Sequence, residues 1–233
     1  MWPISDGTPG VFVTGTGTGV GKTVVAAVIA HSLAAAGKRV AVFKPAVTGL
    51  EDGGEPDHEL LRRAAESEQS GERIAPYRYG PPMSPHLAAE LAGEEIDPGR
   101  LLAVAEAAAA DADALVCEGV GGLLVPLAAD YLVCNLAVDL GLPLVIAASP
   151  ALGTINHTLL TIESARSAGL EVGMVILTPW PDDPSPIEES NRETIARLGE
   201  VEVEALTRLD LSSPSSWPRL ALPPERPAPS RRD

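Results

Sequence analysis

The chain has 233 residues, room for one domain with extensions and a buried core, and its 45 % hydrophobic and 21 % charged content excludes disorder throughout. With 32 acidic against 17 basic residues the formal net charge is −15, which opposes contact with phosphate backbones and anionic lipid surfaces; no nucleic-acid and no membrane partner is expected. The two cysteines, Cys117 and Cys134, lie inside apolar segments, no apolar run nears the ~20 residues of a spanning helix, and the first ten residues have neither basic charge nor an apolar stretch, so a cytoplasmic protein with reduced thiols is expected.

In chain order, a strand is predicted at 11–14, followed by a glycine-rich loop and an Ala/Val/Leu-rich helix from Val24 to Ala36 that stops at Gly37. RVAVF at 39–43 reads as a second strand ending at Lys44-Pro45, and 57–67 as a helix opened by Asp57. A Pro-rich stretch at 75–85 precedes helical segments near 86–92 and 98–110, then a buried strand, ALVCE, at 114–118. A helix around 130–140, a strand at 143–149, a helix around 154–168 and a strand at 172–177 follow. This alternation predicts an α/β fold with a mainly parallel sheet covered by helices on both faces. The segment 178–186, with four prolines, is expected to be a loop, and a helix resumes at 187–198. Residues 1–211 are read as a single domain and 212–233, dense in Pro, Ser and Arg, as a poorly ordered tail.

Between the first strand and its helix stands Thr14-Gly15-Thr16-Gly17-Thr18-Gly19-Val20-Gly21-Lys22-Thr23. A strand feeding a glycine turn that opens a helix aims several backbone N–H groups and the positive helix end at one point, which suits phosphate. Lys22 can reach the outer phosphates and Thr23 can offer its hydroxyl to magnesium. The usual spacing would place glycine at 16, where this chain has Thr16; counted from Gly15, five residues precede Gly21-Lys22-Thr23, a P-loop one residue longer than usual.

Gly15 to Thr23 is similar to the loop of the dethiobiotin synthetases, Lys44-Pro45-Ala46-Val47-Thr48-Gly49 resembles that family's catalytic-lysine segment, and Glu118-Gly119-Val120-Gly121-Gly122 its second acidic motif. Ser84-Pro85-His86 and Leu152-Gly153-Thr154-Ile155-Asn156-His157 match further family segments, so the likeness runs from about Val11 to at least His157. The resemblance implies a P-loop NTPase fold and a reaction in which 7,8-diaminononanoate, CO2 and ATP give dethiobiotin, ADP and phosphate through a phosphorylated carbamate. It implies Lys44, Lys22 and Thr18 as catalytic residues, and nucleotide contacts from Gly19, Val20, Gly21, Lys22, Thr23, Val24, Asp57, Glu118, Gly119, Val120 and Gly121. Thr48 and Ser84 become substrate contacts, as does Asn156 across a homodimer interface, and Thr23, Asp57 and Glu118 ligands of Mg2+.

Read alone, these residues leave alternatives open. Lys44 at a strand end is a surface lysine or a functional one; Asp57 is a helix cap or a magnesium ligand; Gly119, Gly121 and Gly122 form a tight turn or a close approach to nucleotide. His86 and His157 read as packing or polar contacts. Two features depart from the family: many members carry an acidic residue where Gly19 stands, and Leu177-Thr178-Pro179 replaces the usual adenine-reading asparagine. ATP is the expected co-substrate, with other nucleoside triphosphates also admitted. Rival readings fit less well. The dimeric P-loop ATPases that position DNA or membrane sites usually carry an extra lysine near the loop's start, absent from Thr14 to Val20; no Asn-Lys-x-Asp segment for guanine occurs; and 233 residues leave little room for the glutaminase domain of the cobalamin amidotransferases.

Overall fold

The computed structural model describes residues 2–3 and 9–220. Its centre is a sheet of six parallel strands: β1 (Pro9–Gly15), β2 (Val40–Phe43), β3 (Ala114–Glu118), β4 (Leu144–Ala148), β5 (Val172–Trp180) and β6 (Glu202–Thr207), in the order β6-β5-β4-β1-β3-β2. Trp2–Pro3 pairs antiparallel to β1. Every residue of β2, β3 and β4 is buried, the mark of a parallel sheet with both faces covered, so these strands read as unbroken apolar runs.

One face carries α1 (Lys22–Ala34) and α2 (Asp57–Ala64); the other carries α4 (Pro98–Ala110) and α5 (Val133–Leu140), beside α3 (Pro85–Ala92). Val25 to Ala30 of α1 are all fully buried. The run of Ala and Val lets this helix sit close to the sheet, with α2 and the C-terminal segment on its outer side. At the β4–β5–β6 end, α6 (Thr154–Ser167) and α7 (Pro186–Gly199) pack on each other; α7 opens with Ser185 accepting from the Ile187 amide while Glu188 accepts from the Ser185 amide.

β2 is an edge strand, and its exposed ladder groups at Val42 are taken by one side chain: the Val42 amide donates to Gln69 Oε1 at 2.8 Å and Gln69 Nε2 donates to the Val42 carbonyl at 3.1 Å. One residue beyond the strand, the Lys44 amide donates to the Ile74 carbonyl at 2.8 Å. The end of β2 that presents Lys44 is thereby fixed.

The expectation of a loop throughout 178–186 is corrected. β5 runs to Trp180 because Pro179 falls at a ladder irregularity between Leu177 and Trp180, where no amide is required, and Trp180 is buried and pairs with Thr207. The helix expected around 130–140 starts only at Val133; a short antiparallel pair, Pro126–Ala128 with Tyr131–Leu132, occupies the preceding residues. β6 has no counterpart among the sequence expectations. Residues 212–220, the first part of the expected tail, pack onto α1 through the buried Trp217, and 221–233 lie outside the described residues.

Candidate active site

β2, β3 and β1 are neighbours, so their carboxyl ends deliver Lys44, Glu118 and the glycine loop side by side, where ligands of open α/β sheets bind. Val13 of β1 stands in register with Glu118, and Phe43 of β2 with Cys117. The three motifs meet in a cleft of about 660 Å³. The loop closes through Gly19 and Gly21, whose φ of 74° and 90° are left-handed, and a Cβ on Gly21 would come within 2.5 Å of Thr178 Cγ2. Both facts demand glycine at position 21.

Lys44 is the hub. It is 3 % exposed, and its ammonium lies 2.5 Å from Glu118 Oε1 and 2.7 Å from Asp57 Oδ2. Glu118, fully buried, receives a second bond at the same oxygen from Thr23 Oγ1 at 2.8 Å, while its Oε2 has no partner among the described residues. Burial by itself pulls the Lys44 pKa down, but the two carboxylates outweigh it and hold the ammonium above the ordinary lysine value. Burial pushes the Glu118 carboxyl up, against the pull of Lys44. Burial also acts to raise Asp57, yet Lys44 prevails and its carboxyl lies below the usual range. Lys22 is folded back over its own loop, donating to the Gly17 carbonyl at 2.8 Å; burial lowers its pKa, with Lys44 adding to the effect and Glu118 opposing it.

Asp57 is therefore not the cap of α2. Pro56 holds the cap position, no side chain caps the helix, and the first helical residue turns its carboxylate to Lys44. Thr18, Gly19, Gly21, Lys22, Thr23, Val24, Thr48, Ser84, Val120 and Gly121 also line the cleft. Ser84 precedes α3, and its side chain does not bond the helix amides. Val20 instead folds against Gly15, and Gly119 faces the core, where an added Cβ would come within 2.9 Å of Val133 Cγ1 and 3.0 Å of Phe12 Cε1. Asn156 is exposed on the first turn of α6 and does not line the cleft. Sequence reasoning passed over Asp52 and Met83, which do; the signal for Asp52 was a carboxylate in the glycine-rich stretch between Lys44 and Asp57.

An ATP-dependent dethiobiotin synthetase BioD from Anaeromyxobacter dehalogenans (strain 2CP-1) is 43 % identical over 189 residues, covering 81 % of this chain and 85 % of that protein. The chain belongs to the dethiobiotin synthetase family. Enzymes of the same name from Bacillus subtilis (strain 168) and Mycobacterium avium (strain 104) are 37 % and 40 % identical, over 85 % and 81 % of this chain and 86 % and 83 % of theirs. A family described as an AAA domain matches residues 9–218. The structure of pNOB8 ParA bound to nonspecific DNA superposes with a TM-score of 0.51 at 12 % identity, covering 87 % of this chain and 86 % of that one, so the two share an α/β fold.

Proposed function

We propose that this chain closes the cyclic urea of dethiobiotin from 7,8-diaminononanoate, CO2 and ATP, as the family to which it belongs is named to do. The observation that carries the residue assignment is the buried lysine bridging two carboxylates beside the glycine loop. One substrate amine adds to CO2 and loses a proton, giving a carbamate. A carbamate oxygen then attacks the γ-phosphorus and ADP departs. The second amine attacks the carbamoyl carbon, the C–O bond to phosphate breaks, and phosphate leaves as a proton is lost. Negative charge gathers on carbamate and phosphoryl oxygens throughout, and Lys44, Lys22, Thr18 and the loop amides supply positive charge and donors there. Lys22 must leave the Gly17 carbonyl to do so.

The donor set also fits Mg2+: the Thr23 hydroxyl, the unpartnered Glu118 Oε2 and the Asp57 carboxylate are hard oxygen ligands beside a phosphate cradle, the arrangement that cation takes with few protein ligands. When bound it would neutralise phosphate charge and orient the terminal phosphoryl group. Thr178, buried against Gly21 in the segment that replaces the family's asparagine, offers no side-chain amide to a base, so base selectivity is proposed to be weak; turnover with ATP, CTP and GTP at equal concentration measures it, and an exclusive preference for ATP overturns it. A homodimer is proposed through the face bearing Leu124, Leu152 and Leu160, which are 59 %, 90 % and 60 % exposed and lie near or on α6, the helix that carries Asn156. No helix among the described residues is long and apolar enough to cross a membrane, and the free, buried thiols Cys117 and Cys134 suit the cytoplasm.

The deciding assay mixes purified chain, diaminononanoate, bicarbonate, Mg2+ and ATP and looks for dethiobiotin by mass. Product is expected; its absence together with absent phosphate release rejects the proposal. K22A is expected to abolish product while leaving the folded state intact, and retained turnover would remove Lys22 from the mechanism.

A further inference from the structure

The cleft holds five ionisable side chains, Lys22, Lys44, Asp52, Asp57 and Glu118. Asp57 and Glu118 are already engaged by Lys44, and Glu118 also by Thr23. No ion pair or side-chain hydrogen bond among the described residues engages the carboxylate of Asp52. Its position is nevertheless built. Asp52 closes a short 3-10 turn, Leu50–Asp52, that begins behind Gly49 at φ 81°. Three amides pin this turn to the 79–81 segment: Gly49 to the Pro81 carbonyl at 3.1 Å, Leu50 to Tyr79 at 3.3 Å and Glu51 to Gly80 at 3.1 Å. Asp52 Oδ2 lies 3.2 Å from where a Cβ on Gly49 would stand, so the exposed carboxylate sits against the open face of that glycine.

The charges in the cleft are therefore sorted. The loop end carries Lys22 and Lys44, which face phosphate and carbamate oxygens, and its two carboxylates, Asp57 and Glu118, are held by Lys44. Asp52 follows Thr48 on a turn tied to the 79–81 segment, which leads into Met83 and Ser84 of the same cleft, and it is the cleft carboxylate that no neighbour among the described residues neutralises. We propose that Asp52 is the amine-recognition residue of this cleft, taking a charge-assisted hydrogen bond from the amino group of the diamine that is not being carboxylated and so presenting the other to CO2. The proposal rests on the diamine reading of the site given above. It makes Asp52 a determinant of substrate specificity and leaves the phosphoryl chemistry to the lysines.

The test compares wild type, D52N and D52E for turnover and, without ATP, for calorimetric binding of diaminononanoate. D52N is expected to raise the KM for diaminononanoate about 10- to 100-fold, the loss of one hydrogen bond to a charged group, while the KM for ATP stays within about twofold and D52E recovers most of the lost affinity. Unchanged ATP binding shows that the variant is folded. An unchanged diamine KM in D52N, an equal rise in both KM values, or equal losses in D52N and D52E each overturn the proposal while leaving the synthetase reading intact. A wild-type chain that binds the diamine through Asp52 yet forms no dethiobiotin would sink the synthetase reading and keep the amine site; a chain that does not bind the diamine sinks both.

Discussion

Lys44 ties the chemistry to the stability of the fold, because its ammonium is the main compensation for a fully buried Glu118. Removing one partner of a buried pair costs about 3–5 kcal/mol when the other stays charged. In K44M the Glu118 carboxyl keeps its burial and loses the cation, so its folded pKa rises further above the unfolded value. Such a group holds its proton in the folded state. The penalty is then small below the unfolded carboxyl pKa and grows as pH rises toward the folded one. K44M is expected to be inactive and to melt roughly 6–20 °C below wild type at pH 8, with a clearly smaller gap at pH 5, by thermal denaturation at both values. An equal gap at both pH values would mean that the pair does not govern the loss. In the wild type, Asp57 works with the opposite sign: its depressed pKa contributes stability that is present above its unfolded value and is lost as pH falls through the folded one.

At the scale of elements, the loop works because β5 limits it from behind: Thr178 fills the space a Cβ on Gly21 would need. G21A is expected to lose about 1–3 kcal/mol, or roughly 2–12 °C, from left-handed strain alone, and nucleotide binding with it. Adding T178S, which removes Cγ2, should restore part of the melting temperature but not all, since φ 90° remains unfavourable for alanine. Full restoration would assign the whole cost to the clash. The strand, loop and helix around Lys22 were legible in the sequence because order and spacing alone state them, whereas the contact between Gly21 and Thr178 joins residues far apart in the chain. Asp57 could not be settled from sequence, since cap or ligand depends on which way the first turn of α2 faces, and Pro56 takes the cap geometry. Proline density masks Trp180, which is buried and pairs with Thr207 past the ladder irregularity. β6 is visible in principle as Val201 and Val203 alternating with Glu202 and Glu204, but it lies next to a polar, proline-rich end whose composition signals disorder.

Across the whole molecule, the segment after β6 returns over the outer side of α1 and covers the helix whose first turn forms the phosphate cradle. Trp217, 5 % exposed, meets the His31 ring edge-on at 5.6 Å and donates its indole N–H to the Asp210 carbonyl at 2.8 Å. The Leu220 amide reaches Ser32 Oγ at 3.0 Å and Arg63 reaches the Leu211 carbonyl at 2.9 Å, so this one segment joins α1 to α2. Truncating a buried tryptophan to alanine costs about 3–5 kcal/mol, so W217A should lower the melting temperature by roughly 6–20 °C. The contacts sit at the end of α1 opposite Lys22 and Thr23, and the KM for ATP below the transition is therefore expected to change by less than about twofold, the size of an effect away from the site. A chain ended after Leu220 keeps all of these contacts, while one ended after Asp210 loses them and should melt below it by as much as W217A melts below the full chain, or more. If the two truncations melt together, the returning segment is a passive covering, and the stability of α1 rests on the sheet and α2 alone.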